Sequence, residues 1–170
     1  MSLPRLGYIG LGLMGGAMSR HLVAQGYPVQ GYDIRPEMRV AAAAHGVEPG
    51  RIAKTLAFRL SDGRDVLVVA SGDARIDNLK FKSALGKGKM LSPEVVSVIT
   101  GHPVGGVCPF GLAQPLSIYL DVTLKAYDEV LPAAGSVNSA VRLSVSLLAQ
   151  VTQGEWVDVC QGASATLMPP

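Results

Sequence analysis

Apolar positions along this chain fall into short runs broken by glycine, proline and charge, and their spacing switches between two periods. Residues 6–10 form an apolar run closing on glycine and predict a strand. Met18, Leu22 and Val23 recur at helical spacing within 17–25, and Gly26 stands where a helix stop belongs. Residues 29–34 alternate weakly, as a strand does. The Arg35-Pro36 pair ends them, and 37–45 is an alanine-rich helix closed by Gly46. Pro49-Gly50 marks a turn, 52–60 a strand, Asp62-Gly63 a hairpin turn, and 65–70 the return strand. A helix follows at 78–85, ended by Gly86. Ser92-Pro93-Glu94 starts another, with serine as N-cap, and it runs to Thr100. Residues 101–111 hold four glycines and two prolines and read as a structured loop. Strands are expected at 116–121, 129–133, 140–144 and 155–160, a helix at 144–152, and a frayed tail at 162–170.

After residue 52 the strands come in hairpin order with helices between them. This predicts an α+β fold, a mixed or antiparallel sheet or barrel with surrounding helices, preceded by a short βα element. The 170 residues suffice for one compact domain with a sizeable core, and 48% hydrophobic against 16% charged residues excludes a disordered chain. The net charge of +2 excludes a strong global field, so any nucleic-acid contact must come from a local patch. Around residues 75–89, Arg75, Lys80, Lys82, Lys87 and Lys89 stand against Asp73 and Asp77, five cations less two acids, net +3. Such a run is usually a solvated face; for an RNA substrate it is the best candidate for phosphate contact, with Lys80 and Lys82 in the predicted helix. Two cysteines make no disulfide framework, no apolar run reaches membrane-spanning length, and no export signal is read, so a cytoplasmic location is expected.

Two stretches carry resemblances. Gly10-Leu-Gly12-Leu-Met-Gly15 lies between a predicted strand and helix, and Asp33 follows eighteen residues after Gly15. This is the layout of a dinucleotide fingerprint, and residues 5–37 resemble the start of the β-hydroxyacid dehydrogenases. That resemblance implies NAD held by Gly10, Gly12, Gly15 and Asp33. The further parallel strands and helical domain that should follow are missing. From about residue 39 the chain resembles a different family. AAAAHGVEPGRIAKTLAFRL, VLVVASGDARIDNLKFKSALG, GHPVGGVCPFGL, IYLD, AAGSVNSAVRL and WVDVC are similar, in order, to the YbaK/ProX family of aminoacyl-tRNA deacylases, which includes the editing domain of bacterial prolyl-tRNA synthetases. Residues 17–161 then form the deacylase-like domain, 162–170 a tail, and 1–16 a glycine-rich extension that could be functional, chimeric or misread.

Lys54 sits in an apolar strand, where alternation alone puts it in solvent. Its alternative is a cation aimed into a cleft. The resemblance places this lysine in the active site, and it makes the backbone of Gly101, Gly105 and Gly106 the wall holding the scissile ester. Close glycines let backbone N–H groups approach a ligand. Cys108 stands where many relatives have serine; a Cys108–His102 nucleophilic pair is a second reading of that loop. The resemblance also brings Asp121 and Asn138 near the pocket, although pattern alone reads Asp121 as a cap and Asn138 as a turn residue. No metal spacing is visible. The expected function is hydrolysis of the ester of a mischarged tRNA, of Cys-tRNA(Pro) or Ala-tRNA(Pro) type, without a cofactor. The expected partners are aminoacyl-tRNA and, for testing, prolyl-tRNA synthetase, and neither membrane nor DNA. The alternatives are a dehydrogenase-like NAD-binding fragment and a non-catalytic aminoacyl-tRNA-binding module.

Overall fold

The computed structural model describes residues 6–9, 29–32, 49–137 and 139–161. The predicted helices at 17–25 and 37–45, the fingerprint residues Gly10, Gly12, Gly15 and Asp33, and the tail lie outside them, as does Asn138.

The centre of the fold is the hairpin of β3 (Ala53–Leu60) and β4 (Asp65–Ser71). Its turn uses Gly63 at φ +91°, with the Asp62 carboxylate accepting from the Arg64 N–H at 3.0 Å. Residues 66–70 of β4 are all fully buried. An uninterrupted apolar run is what a strand covered on both faces requires. Around this hairpin the main sheet runs β10-β7-β4-β3-β6, with β6 at Gly88–Met90, β7 at Ser117–Asp121 and β10 at Glu155–Val157. Strand β7 is parallel to both β4 and β10, whereas β3 is antiparallel to β4 and β6. The sheet is mixed and open, so of the sheet and barrel alternatives the sheet is realised.

Helices are placed by their caps. In α1 (Asn78–Leu85), Asp77 accepts from the Leu79 and Lys80 N–H groups, and the chain leaves through Gly86. In α2 (Pro93–Thr100), proline opens the first turn and Gly101 closes the helix in the left-handed region at φ +75°. Ser92 makes no cap hydrogen bond; the Glu94 carboxyl is held below its usual range by its own backbone N–H first and by the Ser92 hydroxyl second. In α3 (Val145–Thr152), Ser144 caps the Leu147 N–H at 3.2 Å.

Each face of the main sheet has its own cover. On one side Phe58, Leu60, Val66, Val68 and Tyr119 pack with Phe81 of α1 and with Val159 and Cys160. On the other, Ala57 and Leu67 pack with Val96 of α2, and Ala53, Val69 and Leu120 pack with Leu147 and Leu148 of α3. A second sheet runs β2-β1-β9-β8, from Val29–Tyr32, Leu6–Ile9, Ala140–Ser144 and Glu129–Val130. Strand β1 pairs in parallel with β2 and antiparallel with β9.

Three expectations change. The strand expected at 129–133 is shorter, with Ala133 reduced to a bridge to Ala140. The strand expected at 155–160 splits into β10 and β11 (Cys160–Gln161), because the Asp121 carboxylate takes the Val159 and Cys160 N–H groups at 2.8 and 3.0 Å. Two short strands, β5 (Arg75–Ile76) and β6, fall where no strand is expected. Strand β5 pairs with β11, and its Ile76 packs on the Phe81 side of the core.

Candidate functional site

The glycine loop grows out of the end of α2. Thr100 is buried and passes the chain into the loop by accepting from the His102 N–H at 3.1 Å while donating to the Val96 carbonyl at 2.7 Å. Gly105 turns at φ +90°, a conformation other residues rarely take. Gly106 is buried for a different reason. A Cβ there would lie 2.6–2.7 Å from the backbone of Ser136, so two main chains meet with no room for a side chain. Gly135 N–H then donates to the Gly106 carbonyl at 3.0 Å. The 101–106 loop is thereby stitched to the 134–137 turn, with Val104 and Val137 exposed at the seam. Gly106→Ala is expected to force these backbones apart, at about 1–3 kcal/mol in thermal unfolding. An unchanged Tm would show that the seam is slack.

Cys108 and His102 lie enclosed behind this loop, 0% and 1% exposed. The Sγ atom is 3.7 Å from His102 Nδ1 and donates to the Phe110 carbonyl at 3.5 Å. Nδ1 accepts from the Cys108 N–H at 3.4 Å. Burial pushes the Cys108 thiol up to about 12 and pushes His102 below its usual 6.5. A nucleophilic cysteine needs the reverse, a lowered thiol beside a cationic imidazole. The pair has the proximity of a catalytic dyad and the electrostatics of a core. Two results follow. Cys108 resists iodoacetamide in the native protein at pH 8, and rapid native labelling would overturn this. The native thiols of Cys108 and Cys160, both raised to about 12, keep protons that the unfolded chain loses above about 9. Stability therefore falls as pH climbs past 9.

The cationic and acidic candidates gather on the opposite face of the main sheet. Strand alternation puts Lys54 on the side of Leu56, Phe58 and Leu60. It is half-buried, and its ammonium donates to the Gly72 carbonyl at 3.1 Å and to the Ala74 carbonyl. Register aligns Lys54 with Ala70, and Asp121 with Val157 one strand beyond. Asp121 is fully buried and also accepts from the Thr123 N–H at 2.9 Å, the cap that the sequence pattern suggests. The Cys160 thiol lies between these charges: burial raises it most, Asp121 adds to the rise, and Lys54 opposes it. Lys80 sits beside the group, ion-paired to Asp158 at 2.8 Å and donating to the Cys160 carbonyl at 3.2 Å. Lys82 is exposed on α1.

The expected site residues therefore form two groups. Gly105, Gly106 and Cys108 lie with the 134–137 turn, Gly101 stands at the root of the loop against Ala113, and Lys54, Asp121 and Lys80 surround Cys160 on the other side of the sheet. One residue was not singled out from the sequence. The Thr55 hydroxyl is buried with no hydrogen-bond partner and faces the glycine-loop side, where Val107, Phe110 and Leu112 pack. Its only trace in the sequence is a hydroxyl at an inward position of an apolar strand. Among the described residues no group of three or more His, Cys, Asp or Glu could hold a metal ion, and no helix is long and apolar enough to cross a membrane.

The chain is 49% identical over 123 residues to the uncharacterized protein YwhH of Bacillus subtilis, covering 71% of this chain and 78% of that one. It is 28% identical over 120 residues to EbsC of Enterococcus faecalis, named as a candidate Cys-tRNA(Pro)/Cys-tRNA(Cys) deacylase, covering 69% and 73%. A crystal structure described as a candidate trans-editing enzyme for prolyl tRNA synthetase superposes with a TM-score of 0.78 at 31% identity, covering 90% of this chain and all of that one. The match to a family model begins at residue 36, beyond the glycine fingerprint, and the second neighbour of β1 is the antiparallel β9 rather than another parallel strand; the dehydrogenase resemblance gains no support. Residues 36–151 match the aminoacyl-tRNA editing domain, and the chain belongs to that family.

Proposed function

We propose that this protein hydrolyses the ester of a mischarged aminoacyl-tRNA, of the Cys-tRNA(Pro) or Ala-tRNA(Pro) type, acting in the cytoplasm as a separate chain beside prolyl-tRNA synthetase. The observation that carries the proposal is the glycine loop fastened to the 134–137 turn while its cysteine and histidine are buried and neutral. The Gly101 and Gly106 N–H groups donate to the Ser97 and Pro103 carbonyls, so the Gly105 N–H is assigned to the developing oxyanion, and the site offers no side-chain nucleophile. Water then adds to the ester carbonyl carbon, the bond to the ribose oxygen breaks, and the ribose leaves as its hydroxyl. The water proton passes to that oxygen through the substrate's own groups. Lys54 stands on the opposite face of the sheet from this loop; two of its three ammonium N–H donors are held by the Gly72 and Ala74 carbonyls, and the third is assigned to a tRNA oxygen away from the scissile ester. The Thr55 hydroxyl is assigned to the pocket floor, where a bound amino acid would supply its missing partner.

The test is single-turnover deacylation of tRNA-Pro charged with cysteine, alanine or proline. Release of cysteine or alanine in preference to proline is expected. No release from any of the three would leave a binding module instead. No dinucleotide cofactor is assigned to this reaction; a thermal shift with NAD or NADP at millimolar concentration would reverse that.

A further inference from the structure

Strand β6 forms an edge of the main sheet, all three of its residues are exposed, and a cleft of about 790 Å³ opens where it meets β3. Arg59, Ser61, Lys87, Lys89, Met90 and Ser92 are among its walls, and the lining holds three cations and no carboxylate. The register sets Arg59 directly opposite Lys89. Like charges facing each other across strands oppose pairing; at Arg59 the Asp65 carboxylate offsets this, which leaves Lys89 for a bound anion. Arg59 is held in a fork by Asp65 at 2.7 and 2.8 Å, whereas among the described residues Lys87 and Lys89 have no ion-pair partner. Lys89 lies in β6 and Lys87 at the bend that leads into it, and both line the cleft. By contrast Lys80, the cation of this stretch with the nearest carboxylate, is neutralised by Asp158.

We propose that this cleft docks the phosphate backbone of the tRNA, with Lys87 and Lys89 as the neutralising cations and Ser61 as a hydroxyl donor. The inference rests on the aminoacyl-tRNA reading above and moves the RNA contact from α1 to the sheet edge. With a net charge of only +2, the protein has no global field to do this, so binding depends on the local patch. Contact of this kind is independent of sequence and sensitive to salt.

The experiment is fluorescence-anisotropy binding of uncharged tRNA-Pro to the full chain between 50 and 200 mM salt. For the Lys87→Ala/Lys89→Ala double variant we expect Kd to rise roughly tenfold or more and the slope of log K against log salt to shrink by about 1.4–1.8. Arg142→Ala removes an exposed cation from the other sheet, where it pairs with Glu129, and should retain the wild-type slope. Circular dichroism melting verifies that each variant is folded. A double variant with wild-type Kd and slope overturns the proposal, as does an equal loss in Arg142→Ala, competition by polyglutamate as strong as that by tRNA, or no tRNA binding by the wild type. If the slope changes as expected but no charged tRNA is deacylated, the docking surface stands and the proposed reaction fails.

Discussion

Lys54→Ala is expected to slow single-turnover ester hydrolysis roughly a hundredfold, the loss that misplacing a substrate from a distance can bring. A solvent-facing lysine would give no such result, and Lys54 does not face solvent. Its stem lies against the Leu56 and Phe58 side of β3 and its ammonium is fixed on the Gly72 and Ala74 carbonyls. Those hydrogen bonds also tie β3 to the turn after β4, so the substitution costs stability too, about 1–3 kcal/mol. For a chain of 170 residues that lowers Tm by roughly 2–12 °C. The two effects separate by temperature. Well below the lowered Tm nearly all molecules are folded, so a lysine that only pins the turn would leave the rate unchanged. A lysine that positions the substrate would still show the full loss. Arg142→Ala serves as the control, a cation removed from the second sheet. A wild-type rate for folded Lys54→Ala removes this residue from the reaction and leaves the 101–106 loop to carry it.

Asp121→Ala is expected to be the most destabilising single substitution considered, on the order of 3–5 kcal/mol. The carboxylate is fully buried and accepts three backbone N–H groups, from Thr123, Val159 and Cys160. Alanine leaves all three without an acceptor inside the protein. It also releases the segment between β10 and β11, which that carboxylate diverts from strand pairing. Tm should drop by roughly 6–20 °C in calorimetry. Asp121→Asn retains one acceptor oxygen but turns an N–H₂ toward donors, so an intermediate loss is expected. Equal melting of wild type and Asp121→Ala would mean that these three N–H groups find other acceptors.

Much of this protein can be read locally. The β3–β4 hairpin shows in Asp62-Gly63 between apolar runs. The end of α1 and the start of α2 show in Gly86 and Pro93, because caps and turns depend on residues within about four positions. The editing-domain blocks are legible for a similar reason: each is a short segment whose glycines, lysine or hydroxyls stand at fixed spacing. Contacts between distant segments are another matter. Asp121 meets the Val159 and Cys160 backbone 38 and 39 positions away, and Lys80 meets Asp158 78 positions away. Nothing near residues 155–160 announces that their strand will break, and nothing near Lys80 announces that its charge will be matched. The pattern of 52–60 shows that successive side chains alternate, but only the cover on each side decides that Thr55 faces the glycine loop and Lys54 the Cys160 side. The same holds for Cys108 and His102. Six positions of sequence bring them within reach of each other, and it is their burial beneath a folded loop that leaves both neutral, since desolvation of a charge is a property of the packed interior and not of the neighbours along the chain.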